Sequence, residues 1–371
     1  MAAAADSPPF TLGYRPALDG VRALAVMAVM ARHTGLSIFK GGYLGVDFFF
    51  VLSGFLITAL ILEQYERDRF SFARFYARRA LRLLPALMAV LAVVGAYAFA
   101  AHSTTAEHTR HALLPALFYF SDWARAFGSD LGLLSHTWSL AIEEQFYVLW
   151  PVLLIWSLSR GGYRRSGVVA GLVLALSIAT TAARYLMGVS PNALYSGLES
   201  HGAVMLLSGC ALAICLESAP LTRLDATARA ARLGFPLAVL VTIALFVRAG
   251  FLSSFYALGG YALLAACAVV LIGHTVLDTD GAVGKLLRAR PLVAVGRVSY
   301  GLYLWHYVVY RTISDRFPHL STRPRILVEV PLSFAVAAAS YFVIERPFLR
   351  LKRRFSDRPR SLLSIAPLTA N

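Results

Sequence analysis

The sequence predicts an all-α fold: a polytopic bundle of about ten transmembrane helices with both termini in the cytoplasm. Two observations carry that prediction. Hydrophobic residues make up 58% of the 371-residue chain and charged residues 15%, where soluble domains hold about 45–50% and about 25%; mean hydropathy is +0.64. That apolar excess is too large for one globular core. The apolar residues also fall in continuous runs near the ~20 residues that cross a bilayer as a helix. They do not form the ~10-residue alternating segments of a spanning barrel.

The runs follow one another at 17–38, 43–63, 80–101, 137–159, 167–187, 197–217, 234–249, 253–275, 292–311 and 326–345. Residues 1–16 hold no apolar signal-peptide core and read as a cytoplasmic tail, so the first run serves as an uncleaved signal anchor. Residues 17–346 form the transmembrane domain and 347–371 a basic cytoplasmic tail. With the N-terminus inside, lysines and arginines favour inner segments by about three to one, the bias that orients membrane proteins. The last outer loop, with Arg311, Arg316, Arg323 and Arg325, fits that bias poorly. Topology thus accounts for the net charge of +15, and nucleic acid drops out as a partner. The tail stretch KRRFSDRPR reads as a stop signal or as a contact with anionic membrane lipid. Cys210, Cys215 and Cys267 lie in apolar runs and read as small buried hydrophobes.

The one long outer loop, 102–136, holds His102, His108, His111 and His136. Its patch LLPALFYF suits the membrane interface. The histidine spacing matches no ligand set, so no metal is expected.

Polar residues inside apolar runs are costly in a bilayer and point to chemistry. In the first run Asp19, Arg22 and His33 share one helix face, with Arg22 and His33 ~16 Å apart along the axis. This is either a polar stripe leading to a histidine or an inner anchor with a helix-end histidine. The fourth run opens with Trp138 and then Ser139, Glu143 and Tyr147 at i, i+4 and i+8 on one face. A buried carboxylate needs a partner, and His33 is the expected one for Glu143, because a carboxylate fixes an imidazole's tautomer. Arg78, Arg79 and Arg82 fall within one turn on the cytoplasmic side. They suit phosphates, or serve as ordinary positive-inside charge. Asp47 and Ser53 lie in the second run among small residues that favour close helix packing. Tyr300, Tyr303 and His306 lie in the ninth, partly as an aromatic belt. Glu199 and His201 open the sixth.

Together LDGVRALAVMAVMARH, GVDFFFVLSGFLIT, RRALR, WSLAIEEQFYVLWP, SYGLYLWH and ERPF resemble the acyltransferase-3 family of membrane O-acyltransferases, in the family's order and over roughly residues 14–348. The resemblance implies a ten-helix domain in the bacterial inner membrane, with acyl-CoA as cytosolic donor and no cofactor. The family's Arg-x10-His pattern falls on Arg22 and His33, its RRxxR pattern on Arg78, Arg79 and Arg82, and its Trp-Ser-Leu-x-x-Glu pattern on Trp138, Ser139, Leu140 and Glu143. His201 stands where relatives often carry an arginine or histidine. Implied acceptors are hydroxyls of envelope glycans, lipid-linked saccharides or glycosides such as macrolides. Many members append an esterase-like domain; this sequence ends about 25 residues after the last run, so a stand-alone type is expected.

The expected mechanism docks acyl-CoA phosphates on Arg78, Arg79 and Arg82, with Arg22 nearby. His33 acts as general base or as covalent acyl carrier, Glu143 orients it, and Ser139, Tyr300 or His306 binds the oxyanion. The rival reading is a proton-coupled transporter using the same residues. It calls for inverted repeats and Gly/Pro-broken helices at matched positions, and the sequence displays neither.

Overall fold

In the computed structural model, residues 13–197, 201–219, 221–248 and 254–352 are described. Most of the 1–16 tail, Glu199 and all of KRRFSDRPR after Lys352 lie outside them. The described residues are helical, with no strand. The principal helices are α1 (Pro16–His33), α2 (Leu44–Glu66), α3 (Phe72–Ala100), α4 (Thr104–Leu117), α5 (Ser121–Ala126) and α6 (Trp138–Leu186). They continue with α7 (Pro191–Ser196), α8 (Ala203–Ser218), α9 (Leu221–Arg248), α10 (Tyr261–Leu277), α11 (Ala282–Leu287), α12 (Arg290–Arg316), α13 (Thr322–Ser340) and α14 (Arg346–Lys352). Local chemistry sets several starts. Pro16 occupies the first turn of α1, where its missing N–H costs nothing, and Ser71 and Ser103 cap α3 and α4 by accepting from Arg74 N and Ala106 N.

Among the described residues six segments are long and apolar enough to cross a membrane: Ser37–Glu66, Phe72–Ala100, Gly132–Leu186, Leu224–Val247, Tyr256–Leu277 and Thr322–Leu351. Each of the ten apolar runs overlaps a helix, and the smaller number has physical reasons. The fourth and fifth runs fall in the single helix α6, which Gly161 and Gly162 break; Gly162 takes φ +60°, a conformation that favours glycine. Helix α8 has only 16 residues. Helix α1 carries Asp19, Arg22 and Arg32 in 18 residues, and α12 carries arginines, tyrosines and His306. The helices that fall short on apolarity are among those bearing the polar residues described next.

The core is a set of close helix pairs, notably α2 on α8, α1 on α12, α12 on α13 and α9 on α10. The α2–α8 contact is the tightest to read. A Cβ on Gly54 would sit 1.9 Å from the Leu206 carbonyl oxygen, and one on Gly209 would sit 2.0 Å from that of Val51. Reciprocal glycines let the backbones touch, the packing that small residues give in membranes. The segment 102–136 is not an open loop. It folds into α4, α5 and a 3₁₀ turn, Gly132–Thr137, laid against α3, α6 and α12. Within LLPALFYF, Leu114, Phe118 and Phe120 remain exposed.

Candidate active site

Among the described residues an arginine-lined cavity and a histidine-lined cavity share Tyr303 and Val46, which line both. The first is an arginine cavity. Arg22 of α1 and Arg78, Arg79 and Arg82 of α3 line it with Ser53, Ser139, Glu143, Tyr147, Ser299 and Tyr300. The α3 arginines are held from their flanks. Arg78 donates to Gln64 Oε1 at 3.0 Å, and Arg79 donates to Glu144 Oε1 at 3.3 Å and lies over the Tyr147 ring. On α1, Arg22 Nε is buried with no hydrogen-bond partner among the described residues. Glu143 accepts from Ser53 Oγ at 2.8 Å.

The second is a histidine cavity, lined by His33, His136, Tyr303, Tyr307, Trp138, Tyr195, Arg32 and Arg125 among others. His33 closes α1 and its ring opens to this space. Its Nδ1 lies 3.0 Å from His306 Nε2, and His306 Nδ1 lies 3.1 Å from the Leu302 carbonyl one turn back on α12. A carbonyl only accepts, so His306 Nδ1–H donates to it and His306 Nε2 carries the lone pair. His33 Nδ1–H then donates to that nitrogen, leaving His33 Nε2 as a free lone pair. The chain Leu302–His306–His33 thus fixes the tautomer a base or nucleophile requires.

Between the cavities, Tyr303 OH donates to the His136 carbonyl at 2.9 Å and lies 2.6 Å from Ser139 Oγ. Beside the histidine cavity, Asp47 Oδ1 and His201 Nε2 pair at 2.7 Å, both fully buried, and His201 Nδ1 donates to the Tyr195 carbonyl at 2.8 Å. The His201 ring stacks on Tyr195, centroids 4.2 Å apart. Among the described residues no group of three or more His, Cys, Asp or Glu forms a metal-holding cluster.

A family model described as an acyltransferase domain, of the acyltransferase-3 type, matches residues 15–345. The chain belongs to the acyltransferase-3 family. It is 35% identical to a peptidoglycan O-acetyltransferase of Listeria monocytogenes, over 93% of this chain and 58% of that protein. It is 30% identical to an O-acetyltransferase of Staphylococcus aureus, over 95% of this chain and 61% of that protein. The chain therefore spans about three-fifths of the length of these curated relatives. No solved structure matches it. Family and apolar helices together make it an integral membrane protein.

Within this acyltransferase domain the geometry corrects one expectation. The direct His33–Glu143 pair is absent: the partner of His33 is His306, and Glu143 lines the other cavity with Ser53. The cause is depth, since Glu143 lies more than one turn along α6 from the end that meets the histidine cavity. The three oxyanion candidates are also engaged. Ser139 is tied to Tyr303, Tyr300 donates to the Leu83 carbonyl at 3.0 Å and so ties α12 to α3, and His306 is held between His33 and Leu302. Asp19 accepts from Tyr14 at 2.8 Å and lines neither cavity. Trp138 lines the histidine cavity and Tyr147 the arginine cavity. Asp47 and His201, separate in the sequence reading, are one pair. His136, Tyr307, Arg32 and Arg125 had no assigned role, although the HTWS run already placed a histidine beside the motif tryptophan.

Proposed function

We propose that this chain is an integral membrane O-acyltransferase of the bacterial inner membrane, moving an acetyl or other short acyl group from acyl-CoA to a hydroxyl of an envelope glycan. In this reading ten helices cross the bilayer with both termini inside, so the arginine cavity faces the cytosol and the histidine cavity the outer side. The names of the relatives support the reaction, one being a peptidoglycan O-acetyltransferase.

The observation that carries the reading is the wired tautomer of His33 beside a cavity that adjoins an arginine-lined one. Arg22 and Arg82, with Arg78 and Arg79, bind the phosphates of the donor as guanidinium forks. The slender pantetheine arm passes Ser53 and Glu143, whose carboxylate accepts from an amide N–H. It displaces Tyr303 from Ser139, which brings the thioester to His33. His33 Nε2 takes the proton of the acceptor hydroxyl as its oxygen attacks the thioester carbonyl; the C–S bond breaks, the C–O ester bond forms, and the imidazolium returns its proton to the departing thiolate. His306 stabilises the imidazolium through the Nδ1 hydrogen bond. The Tyr303 hydroxyl, turned off the His136 carbonyl as it leaves Ser139, donates to the oxyanion.

The test is transfer of label from acetyl-labelled acetyl-CoA to an envelope glycan fraction by purified protein in nanodiscs. Alkali-labile label on the glycan, with stoichiometric release of free CoA, is expected. Absence of both, across donors of several acyl lengths, overturns the reading.

A further inference from the structure

Where the two cavities adjoin, three helices form a throat. Helix α2 supplies Val46, which lines both cavities, with Phe49 and Phe50, which line the arginine cavity. Helix α6 supplies Ser139 and Leu140, and α12 supplies Tyr303. Their side chains meet. The Phe49 ring packs edge-on to the Tyr303 ring, centroids 6.4 Å apart. The Tyr303 hydroxyl lies 2.6 Å from Ser139 Oγ and donates to the His136 carbonyl. Val46, Phe50 and Leu140 are buried. Turning Tyr303 off its two partners opens one wall, and the hydrocarbon on the other two stays.

The α2 wall has no room to withdraw. A Cβ on Gly45 would sit 2.3 Å from the Ala25 carbonyl oxygen of α1, and Gly54 meets the Leu206 carbonyl of α8 as closely. Backbone therefore lies on backbone at both ends of the stretch that carries Val46, Phe49 and Phe50. Phe50 is pinned from behind, its ring centroid 6.3 Å from that of Trp138 and 5.8 Å from that of His201. An interior packed in this way accepts an added methylene only with strain. Once Tyr303 turns aside, the width left to a passing group is set by Val46, Phe49 and Leu140.

We infer that Val46, Phe49 and Leu140 select the acyl group by size, passing acetyl and rejecting longer chains. The inference rests on the acyltransferase reading above and adds to it the acyl class of the donor and the residues that set it. The selection acts after binding. The phosphates and pantetheine are common to every acyl-CoA and meet the arginine cavity alike, so chain length leaves binding nearly unchanged and acts on turnover.

A donor series tests it in full-length protein in nanodiscs. CoA thioesters of acetyl, propionyl, butyryl and hexanoyl groups are compared as donors to the envelope glycan fraction. The kcat/KM should fall on the order of tenfold or more for each added methylene. Butyryl-CoA should still inhibit acetyl transfer at concentrations near the KM for acetyl-CoA. Val46→Ala and Phe49→Leu should each raise the butyryl-to-acetyl ratio by at least about tenfold, and Leu140→Ala should move it the same way, so the outcome does not hang on the folding of one variant. Leu60 lines the same cavity about three turns further along α2, and Leu60→Ala should leave the ratio where it was. Equal rates across the series, a ratio that no throat variant moves, or one that Leu60→Ala moves as far overturns the inference while acetyl transfer continues. Butyryl-CoA that fails to inhibit would put the selection at binding and overturn it too. Absence of acetyl transfer by the unmodified protein would instead overturn the acyltransferase reading on which the inference stands.

Discussion

The two cavities are built on opposite electrostatic plans. The arginine cavity holds four permanent cations, and neighbours hold two of them in place: Gln64 on Arg78, Glu144 and Tyr147 on Arg79. Guanidinium stays charged at any physiological pH, so these four side chains bind a ligand's charge and do not cycle a proton. The histidine cavity is lined by His33 and His136, with His306 in ring contact with both; imidazoles can take up and hand on a proton, and one of them is wired so that a single lone pair faces open space. One region suits a ligand's fixed charge and the other suits proton transfer. Tyr303 lines both and stands where the proposed mechanism has the acyl group cross.

That contrast can be broken by substitution, beginning with the largest expected effect. Asp47 and His201 form the buried support beside the histidine cavity. Removing one partner of a buried pair costs about 3–5 kcal/mol, so Asp47→Ala should sharply lower the thermal unfolding midpoint in detergent. An unchanged midpoint would mean the pair does not hold that wall. His306→Ala removes the acceptor that fixes the His33 tautomer. Loss of a catalytic proton-transfer arrangement costs about 10²-fold or more, and it should appear in kcat, with the KM for acetyl-CoA moving much less. The opposite split is expected of Arg82→Ala, whose KM for acetyl-CoA should rise on the order of tenfold or more. A kcat defect alone would erase the distinction between the cavities.

The smallest effect lies at the edge of the bundle. The Gly132 amide, with His108 and Arg311 adding to it, holds the Asp130 carboxyl below the usual carboxylate range. A carboxyl depressed on folding stabilises above its unfolded pKa, and the gain is lost as pH falls through the folded value. Because Asp130 is 60% exposed, Asp130→Asn should cost at most about 1 kcal/mol. Its effect should be present at neutral pH and vanish in acid, as stability curves across pH would report.

What the sequence made readable follows the same division. The arginine cavity draws three of its cations from one turn of α3, and helix periodicity puts Ser139, Glu143 and Tyr147 on one face, so short-range spacing was enough to group most of it. The histidine cavity joins α1, the turn before α6 and α12; His33 and His306 are 273 residues apart, and no local period relates them. The expected His33–Glu143 pair erred for that reason, since a buried carboxylate's need for a partner does not say which partner is within reach. Asp47 and His201, 154 residues apart, were noticed singly and could be joined only by the glycine-mediated approach of α2 to α8. The apolar runs overlapped helices throughout because length and composition are themselves the physics of spanning. The 102–136 segment reads as a loop in the sequence because its helices α4 and α5 are short and amphipathic, and their apolar faces are covered only by tertiary packing.

The most direct test of the account is chemical rescue of His33→Ala. Acetyl transfer from labelled acetyl-CoA to envelope glycan would be measured in nanodiscs for the variant, with and without added imidazole. Because the His33 ring opens to the cavity, transfer should fall by about 10²–10⁴-fold and recover in part with imidazole, while Arg82→Ala should gain nothing from it. Transfer by His33→Ala at the level of the unmodified protein, without imidazole, would contradict the assignment of the proton-transfer step to this residue.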